Sequence, residues 1–211
     1  MTKLKENIQH YIEKKIIPHY QTFDSAHNID HIRTVIEESL KLAQYYEVDI
    51  NMVFVIAAFH DLGLTNGREN HHIDSGKILE NDVLISSEFS EEQIKIMKEA
   101  VEDHRASNKH EPRSIYGRIV AEADRIIDPN ITLLRTVQYG KDNYPDLDLE
   151  SQYERFCAHL KNKYSENGYL KLWIPYSSNA EKLDELRKII NNEELLRKTF
   201  EELYNTHSLS K

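Results

Sequence analysis

Cysteine is almost absent from this chain of 211 residues, because Cys157 is the only one. A single thiol excludes an intramolecular disulfide and a zinc site built from several thiolates. Long apolar runs are also missing: none approaches the ~20 residues that cross a bilayer. The N-terminal sequence MTKLKENIQHY has no apolar signal-peptide core. We therefore expect a cytoplasmic protein without a membrane span.

Basic charge is the second thing that the sequence has little of. The chain carries 27 basic and 36 acidic residues, which gives a formal net charge of -9. Nucleic acids and anionic membranes bind basic surfaces, so neither is an expected partner. A small anionic substrate stays possible because a bound metal inverts the local field. The length suits one large domain or one and a half, and the sequence leaves the oligomeric state open.

Alternating runs of Val, Ile and Thr, typical of strands, do not occur, and nearly every segment has the 3.6-residue period of a helix. The sequence therefore predicts an all-α fold. Helices are predicted over residues 3–17, stopped by Pro18; over 29–43; up to Gly63; after the turn at 65–70; over 90–104; between Pro112 and Pro129; and over 151–165 and 180–203. Residues 139–150 are predicted to form a loop over the site.

The segment MVFVIAAFHDLG, residues 52–63, predicts the central helix. Asn51 is its expected N-cap and Gly63 its expected C′ residue. Eight consecutive apolar residues indicate a helix buried on all sides. The run delivers His60 and Asp61 into the interior, where a charge is costly unless a counter-charge or a metal compensates it. Taken alone, the pair is more typical of a His-Asp hydrogen bond at a helix end, and the rest of the sequence changes this interpretation.

Two further polar residues lie on the inward faces of predicted helices, namely His31 and Asp124. With His60 and Asp61 they make a set of two imidazoles and two carboxylates. Such a set suits a divalent ion such as Mn, Fe, Co, Ni, Mg or Zn, with positions left for water and substrate. His27, four residues before His31, is the alternative for the first ligand.

The order His31, His60-Asp61, Asp124 resembles the H…HD…D signature of the HD-domain superfamily of metal-dependent phosphohydrolases. The flanking segments AHNIDHIRTV, AAFHDLG and VAEADRI are similar to the family's ligand-bearing helices. The segment HRASNKHEPRSIYGRIVAEADRIID resembles a group of small bacterial HD proteins. The resemblance implies one HD-type domain, a helical bundle with its core at about residues 24–128, and a helical extension over 129–211.

The resemblance also implies the chemistry. A divalent metal held by His31, His60, Asp61 and Asp124 would activate a water that attacks phosphorus in line. Asp61 or Asp124 would steer that water, which makes them the expected catalytic residues. The expected substrate is a small phosphoester, a nucleotide or a related phosphorylated metabolite.

Three residues between the HD pair and Asp124 are candidates for substrate binding or for a second metal, namely Arg68, His72 and His104. Two-metal HD proteins place extra histidines in this interval, while phosphate contacts or core histidines bonded to backbone are the other interpretations. Arg68 could bind a phosphate in a bidentate manner. His71, in a polar context, is expected at the surface.

Two other functions are compatible with the sequence. An HD-type di-iron oxygenase would require both His72 and His104 as ligands. A non-catalytic binding module would use the metal only to hold its helices together.

Overall fold

The computed structural model describes residues 3–24, 27–108 and 110–206. Within these ranges every regular element is helical, which confirms the all-α prediction. The α-helices are α1 (Glu6–Tyr11), α2 (Ile29–Ala43), α3 (Ile50–Phe59), α4 (His71–Glu80), α5 (Val83–Glu88), α6 (Glu91–Asp103), α7 (Ile115–Asp124), α8 (Pro129–Asn143), α9 (Leu149–Tyr164), α10 (Asn179–Ile190) and α11 (Glu193–Thr206).

The chain forms two compact units. The first comprises Met1–Ile126 and Trp173–Ser177, and the second comprises Ile127–Leu172 and Ser178–Lys211. The prediction of a single HD-type domain stays a prediction.

Helix α3 is the centre of the first unit. All residues from Met52 to Phe59 are buried, as the apolar run predicts, and α2, α6 and α7 pack around them. The helix begins earlier than expected: Asp49 is the N-cap, and its carboxylate accepts a hydrogen bond from the N–H of Asn51 at 2.9 Å. The side chain of Asn51 is buried instead and accepts a hydrogen bond from the N–H of Lys5 at 2.8 Å.

Gly63 does not end α3, which stops at Phe59; it lies in a 3-10 turn, Leu62–Asn66. A Cβ atom at position 63 would lie 2.0 Å from the carbonyl oxygen of His71 and 2.6 Å from the amide nitrogen of Ser75. Glycine is therefore required here because the first turn of α4 lies against the backbone, and not because the chain needs a positive φ.

Pro18 does not stop the first helix either. The chain continues from α1 through a π-helical turn, Ile12–Ile16, into a 3-10 helix, Ile17–Thr22. Pro18 stands in the first turn of the 3-10 helix, where an N–H has no helical partner and its loss costs little.

The second unit contains α8 to α11, around a core that includes Leu133, Phe156, Leu186 and Phe200. Residues 139–143 end α8, so the predicted loop is shorter than expected. The predicted helix over 180–203 is two helices, because α10 ends at Ile190 and the side chain of Asn192 accepts a hydrogen bond from the N–H of Leu195 at 3.0 Å.

None of the helices in the described ranges combines the length and the apolarity that a membrane crossing requires.

Candidate metal centre

The four predicted ligands come from three helices and lie together. His31 is in the first turn of α2, where the side chain of Asn28 accepts a hydrogen bond from its N–H at 3.0 Å. His60 and Asp61 directly follow α3, and Asp124 is the last residue of α7. His60, Asp61 and Asp124 thus lie where helices end inside the first unit, whereas His31 lies where a helix begins.

The imidazole nitrogens of His31 and His60 converge on the two carboxylates. Nε2 of His31 lies 3.3 Å from Oδ1 of Asp124 and 3.7 Å from Oδ2 of Asp61. Nε2 of His60 lies 3.1 Å from Oδ2 of Asp61 and 3.6 Å from Oδ1 of Asp124. The ligand atoms of His31, His60 and Asp124 all lie within 4.8 Å of one another.

The donor set fits a metal ion. Nδ1 of His60 donates a hydrogen bond to the carbonyl of Ala57 at 2.8 Å, which leaves the lone pair on Nε2. Nε2 of His31 and of His60 is buried, and neither atom has a hydrogen-bond partner. Buried polar atoms without a hydrogen-bond partner, set beside two carboxylates, are unfavourable unless a cation lies among them.

Asp61 connects this group to a second one. Its Oδ2 faces His31 and His60, whereas its Oδ1 lies 3.4 Å from Nε2 of His104 and 3.6 Å from Nε2 of His71. The ligand atoms of Asp61, His71 and His104 also lie within 4.8 Å of one another. The carboxylate of Asp61 therefore has the arrangement of a bridging ligand between two metal positions.

Both histidines of the second group are oriented in the same way as His60. Nδ1 of His104 donates to the carbonyl of Val101 at 2.6 Å, and Nδ1 of His71 donates to the carbonyl of Arg68 at 2.8 Å. Each of these bonds reaches the carbonyl three residues earlier, so Nε2 carries the lone pair and faces Asp61. A backbone hydrogen bond on the remote nitrogen is the usual support of a metal-binding imidazole.

Residues 28–127 match the family model described as HD domain. These residues form an HD domain. A comparison with solved structures finds a likeness to the crystal structure of a "predicted HD superfamily hydrolase" from an uncultured Thermotogales bacterium. The two chains are 19% identical, and the match covers 71% of this chain and 81% of that one, with a TM-score of 0.49. The comparison with curated proteins finds no match.

Within the HD domain, His71, and not the predicted His72, lies together with Asp61 and His104. Only 14% of the His71 side chain is exposed, so the expectation of a surface residue is wrong. The inward row of α4 runs through His71, Ser75 and Leu79, spaced by four. The row does not extend to Val83, which is 85% exposed and already belongs to α5.

His72 lies beside this group without belonging to it. Its ring centroid is 5.6 Å from that of His71, and its Nδ1 is buried without a hydrogen-bond partner. Burial lowers the pKa of His72 to about 4, and the electrostatic effects of His104 and Arg105 act in the same direction. His72 is therefore neutral at physiological pH.

Arg68 and His27 lie at the rim of the HD domain and share one partner. The side chain of Arg68 is 70% exposed, and its Nη1 lies 3.1 Å from Oδ2 of Asp24. Oδ1 of Asp24 lies 2.6 Å from Nδ1 of His27, whose ring centroid is 5.9 Å from that of His31. Thus His31, and not His27, belongs to the first candidate group. The carbonyl of Arg68 supports His71, but its guanidinium pairs with Asp24.

The electrostatics of the centre favour a cation. Burial acts against a charged imidazole at His60, but Asp61 and Asp124 outweigh it and hold the pKa of His60 well above its usual value. Burial also acts against the charge of Asp61, yet His60 and His104 keep the pKa of Asp61 well below its usual range. His31 and His60 lower the pKa of Asp124 in the same way, again against burial. A proton on His60 thus balances the carboxylates where no other cation does.

Two buried residues that sequence reasoning did not assign support the centre. Nη1 of Arg125 donates to the carbonyls of His104, at 3.0 Å, and of Ala121. Oγ of Ser75 accepts a hydrogen bond from the N–H of Gly63 at 2.8 Å, which joins α4 to the turn after Asp61. The position of Arg125 next to Asp124 was the only signal in the sequence for either contact.

Proposed function

We propose that the HD domain is a divalent-metal-dependent phosphohydrolase that acts on a small phosphoester, a nucleotide or a related phosphorylated metabolite. The observation that carries this proposal is the carboxylate of Asp61, whose two oxygens face two separate pairs of imidazoles. Two metal positions about one bridging carboxylate are the arrangement with which many phosphoryl-transfer sites stabilise an in-line displacement.

The proposed ligands of the first ion are His31, His60, Asp61 and Asp124, and those of the second are Asp61, His71 and His104. Bound divalent ions would supply an activated water and would neutralise charge on the phosphoryl oxygens. Because four of these residues are imidazoles, the set favours Mn, Fe, Co, Ni or Zn over Mg.

The side chains have distinct proposed tasks. Asp61 and Asp124 accept hydrogen bonds from the attacking water and orient it toward phosphorus. Arg68 exchanges its exposed partner Asp24 for a phosphate oxygen of the substrate, since a guanidinium binds either group. The hydrogen bonds to Ala57, Val101 and Arg68 keep the imidazoles from rotating.

The test is elemental analysis of protein purified without chelator, together with phosphate release from a panel of phosphomonoesters, nucleotides and cyclic nucleotides. We expect two metal ions per chain and one in the His104→Ala and His71→Ala variants. His72→Ala is the matched control, because it removes the neighbouring imidazole, and it should keep both ions.

Full metal occupancy in Asp124→Ala would contradict the ligand assignment. Two iron ions per chain, with uptake of oxygen and no phosphate release, would contradict the hydrolase and favour the di-iron oxygenase. Tight metal binding without turnover of any compound in the panel would favour the non-catalytic module.

A further inference from the structure

The first unit contains a cavity of about 470 Å³ that none of the candidate metal ligands lines. Its walls come from the π-helical turn and the 3-10 helix after α1, from the turn after Asp61 and from α4. This volume lies within the range of about 300–1,000 Å³ that is typical of small-molecule sites.

The π-helical turn shapes one wall. The N–H of Ile17 donates to the carbonyl of Ile12, five residues earlier, so the turn is wider than that of an α-helix. Residues five apart, Tyr11 and Ile16, consequently come to the same side, and both line the cavity. Single π-helical turns often occur at functional sites.

The apolar part of the cavity lining consists of Ile16, Leu62 and Ile78. Ile16 and Leu62 are almost fully buried, with 5% and 3% of their surface exposed. An apolar body placed on these side chains would lose its contact with water, which is the main source of affinity in such pockets.

Two basic side chains, Lys15 and His19, belong to the polar part of the cavity lining. Lys15 and His19 are exposed, and in the described part of the chain neither side chain has a hydrogen bond or an ion pair. The one carboxylate at the cavity, Asp82, is occupied: its oxygens accept hydrogen bonds from the hydroxyl of Tyr11 at 2.6 Å and from the N–H of Ile85 at 3.0 Å.

We propose that this cavity binds a small organic anion whose apolar body lies on Ile16, Leu62 and Ile78 and whose acidic group pairs with Lys15 and His19. A carboxylate, a sulfonate and a phosphate monoester share the required chemistry. The site is independent of the proposed function, since its lining contains none of the proposed metal ligands. Leu62 nevertheless directly follows Asp61, so an occupant would contact the same turn.

The probe is 8-anilinonaphthalene-1-sulfonate, an aromatic sulfonate that fluoresces when its rings leave water. Its neutral counterpart, N-phenyl-1-naphthylamine, has the same rings without the acidic group. Each is titrated into the full-length wild type, the Lys15→Ala/His19→Ala double variant and a control, His10→Ala/Lys14→Ala. The control also removes one histidine and one lysine, but from exposed positions outside the cavity.

We expect one saturable site for the sulfonate in the wild type and in the control. In Lys15→Ala/His19→Ala its affinity should fall about tenfold, because a charge-assisted contact is lost, while the affinity of the neutral amine should stay unchanged. Circular dichroism checks that each variant is folded. Absence of a saturable site, or equal sulfonate affinity in the two double variants, would overturn the proposal.

Discussion

The hydroxyl of the fully buried Tyr20 donates a hydrogen bond to the carbonyl of Ala58, with 2.9 Å between the two oxygens. Ala58 lies in the last turn of α3, where carbonyls lack partners within the helix. A side chain of the 3-10 helix before α2 thus supplies a hydrogen-bond partner for a carbonyl at the end of α3, next to His60 and Asp61.

Tyr20→Phe should therefore loosen this helix end while keeping the packing of the ring. We expect a loss of about 1–3 kcal/mol in the free energy of unfolding, because a buried carbonyl loses its partner. If Tyr20 positions His60 and Asp61, metal affinity should also fall. Urea unfolding of the metal-free protein and a Mn²⁺ titration measure the two effects. Tyr45→Phe, at a residue 58% exposed, is the control and should change neither.

Asp61→Asn tests the bridging role. The substitution keeps the shape of the side chain and removes the charge that both groups share, so both metal positions should lose affinity together. His104→Ala should empty one position only. Calorimetric titration with Mn²⁺ distinguishes these patterns, with Asp30→Asn, an exposed residue of α2, as the control. One retained high-affinity ion in Asp61→Asn would show that Asp61 does not bridge.

The pH dependence of stability above neutral pH should disappear when metal is added. The raised pKa of His60 stabilises the metal-free fold fully below the unfolded value of ~6.5, and this contribution is lost as pH rises through the folded pKa. The lowered pKa values of Asp61 and Asp124 contribute above ~3.9 and are lost only in acid. Above neutral pH, the free energy of unfolding of metal-free protein should thus decrease with pH.

With Zn²⁺ or Mn²⁺ in excess this decrease should disappear, because the ion binds neutral imidazole and displaces the proton of His60. Above the unfolded pKa of ~6.5, neither the folded nor the unfolded state then holds a proton at this residue. The metal-free slope is limited to about 1.4 kcal/mol per pH unit for each proton exchanged. Urea unfolding between pH 7 and 9, with and without metal, measures both slopes. Parallel curves would mean that the ion does not displace a proton from His60.

Gly63→Ala tests the close approach between the turn after Asp61 and the first turn of α4. The added Cβ would lie 2.0 Å from the carbonyl oxygen of His71, so α4 must move. We expect a loss of about 1–3 kcal/mol in stability from overpacking, together with weaker binding of the second ion. Gly67→Ala is the control: its φ of +104° makes the substitution strained, but no atom lies within 4 Å of the new Cβ.

Thermal unfolding and metal stoichiometry separate the two glycine variants. Gly67→Ala should be destabilised and keep both ions, whereas Gly63→Ala should keep only the ion at His31 and His60. Two ions in Gly63→Ala would mean that His71 does not depend on this contact.

The sequence predicts the helical class and α3 well, since eight apolar residues in a row leave few alternatives. The grouping of His31, His60, Asp61 and Asp124 is foreseen because each ends or begins an apolar helix. The choice between His71 and His72 is not foreseeable in the same way. Both histidines stand in the first turn of α4, and the one-residue difference rotates the side chain about the helix axis by about 100°.

Contacts between distant parts of the chain leave even less trace in the sequence. Tyr20 and Ala58 are 38 residues apart, and the hydrogen bond between them has no pattern that a helical period reveals. The break at Asn192 does leave a trace, because Glu193 and Glu194 stand where a helix continuing from Ile190 would place apolar residues. The prediction of one helix over 180–203 passed over this interruption.

Glu122, fully buried in α7, accepts hydrogen bonds from the N–H groups of Trp173, at 2.6 Å, and Ile174, at 3.3 Å, and from the hydroxyl of Ser177. The first unit therefore includes a strip of chain that is made about fifty residues after α7. During translation, α7 with the acceptor Glu122 is made before the residues that donate hydrogen bonds to it. A nascent chain that ends near residue 126 would lack these donors to Glu122. The first unit can therefore complete its fold only after all of the intervening sequence, through Ser177, has been synthesised.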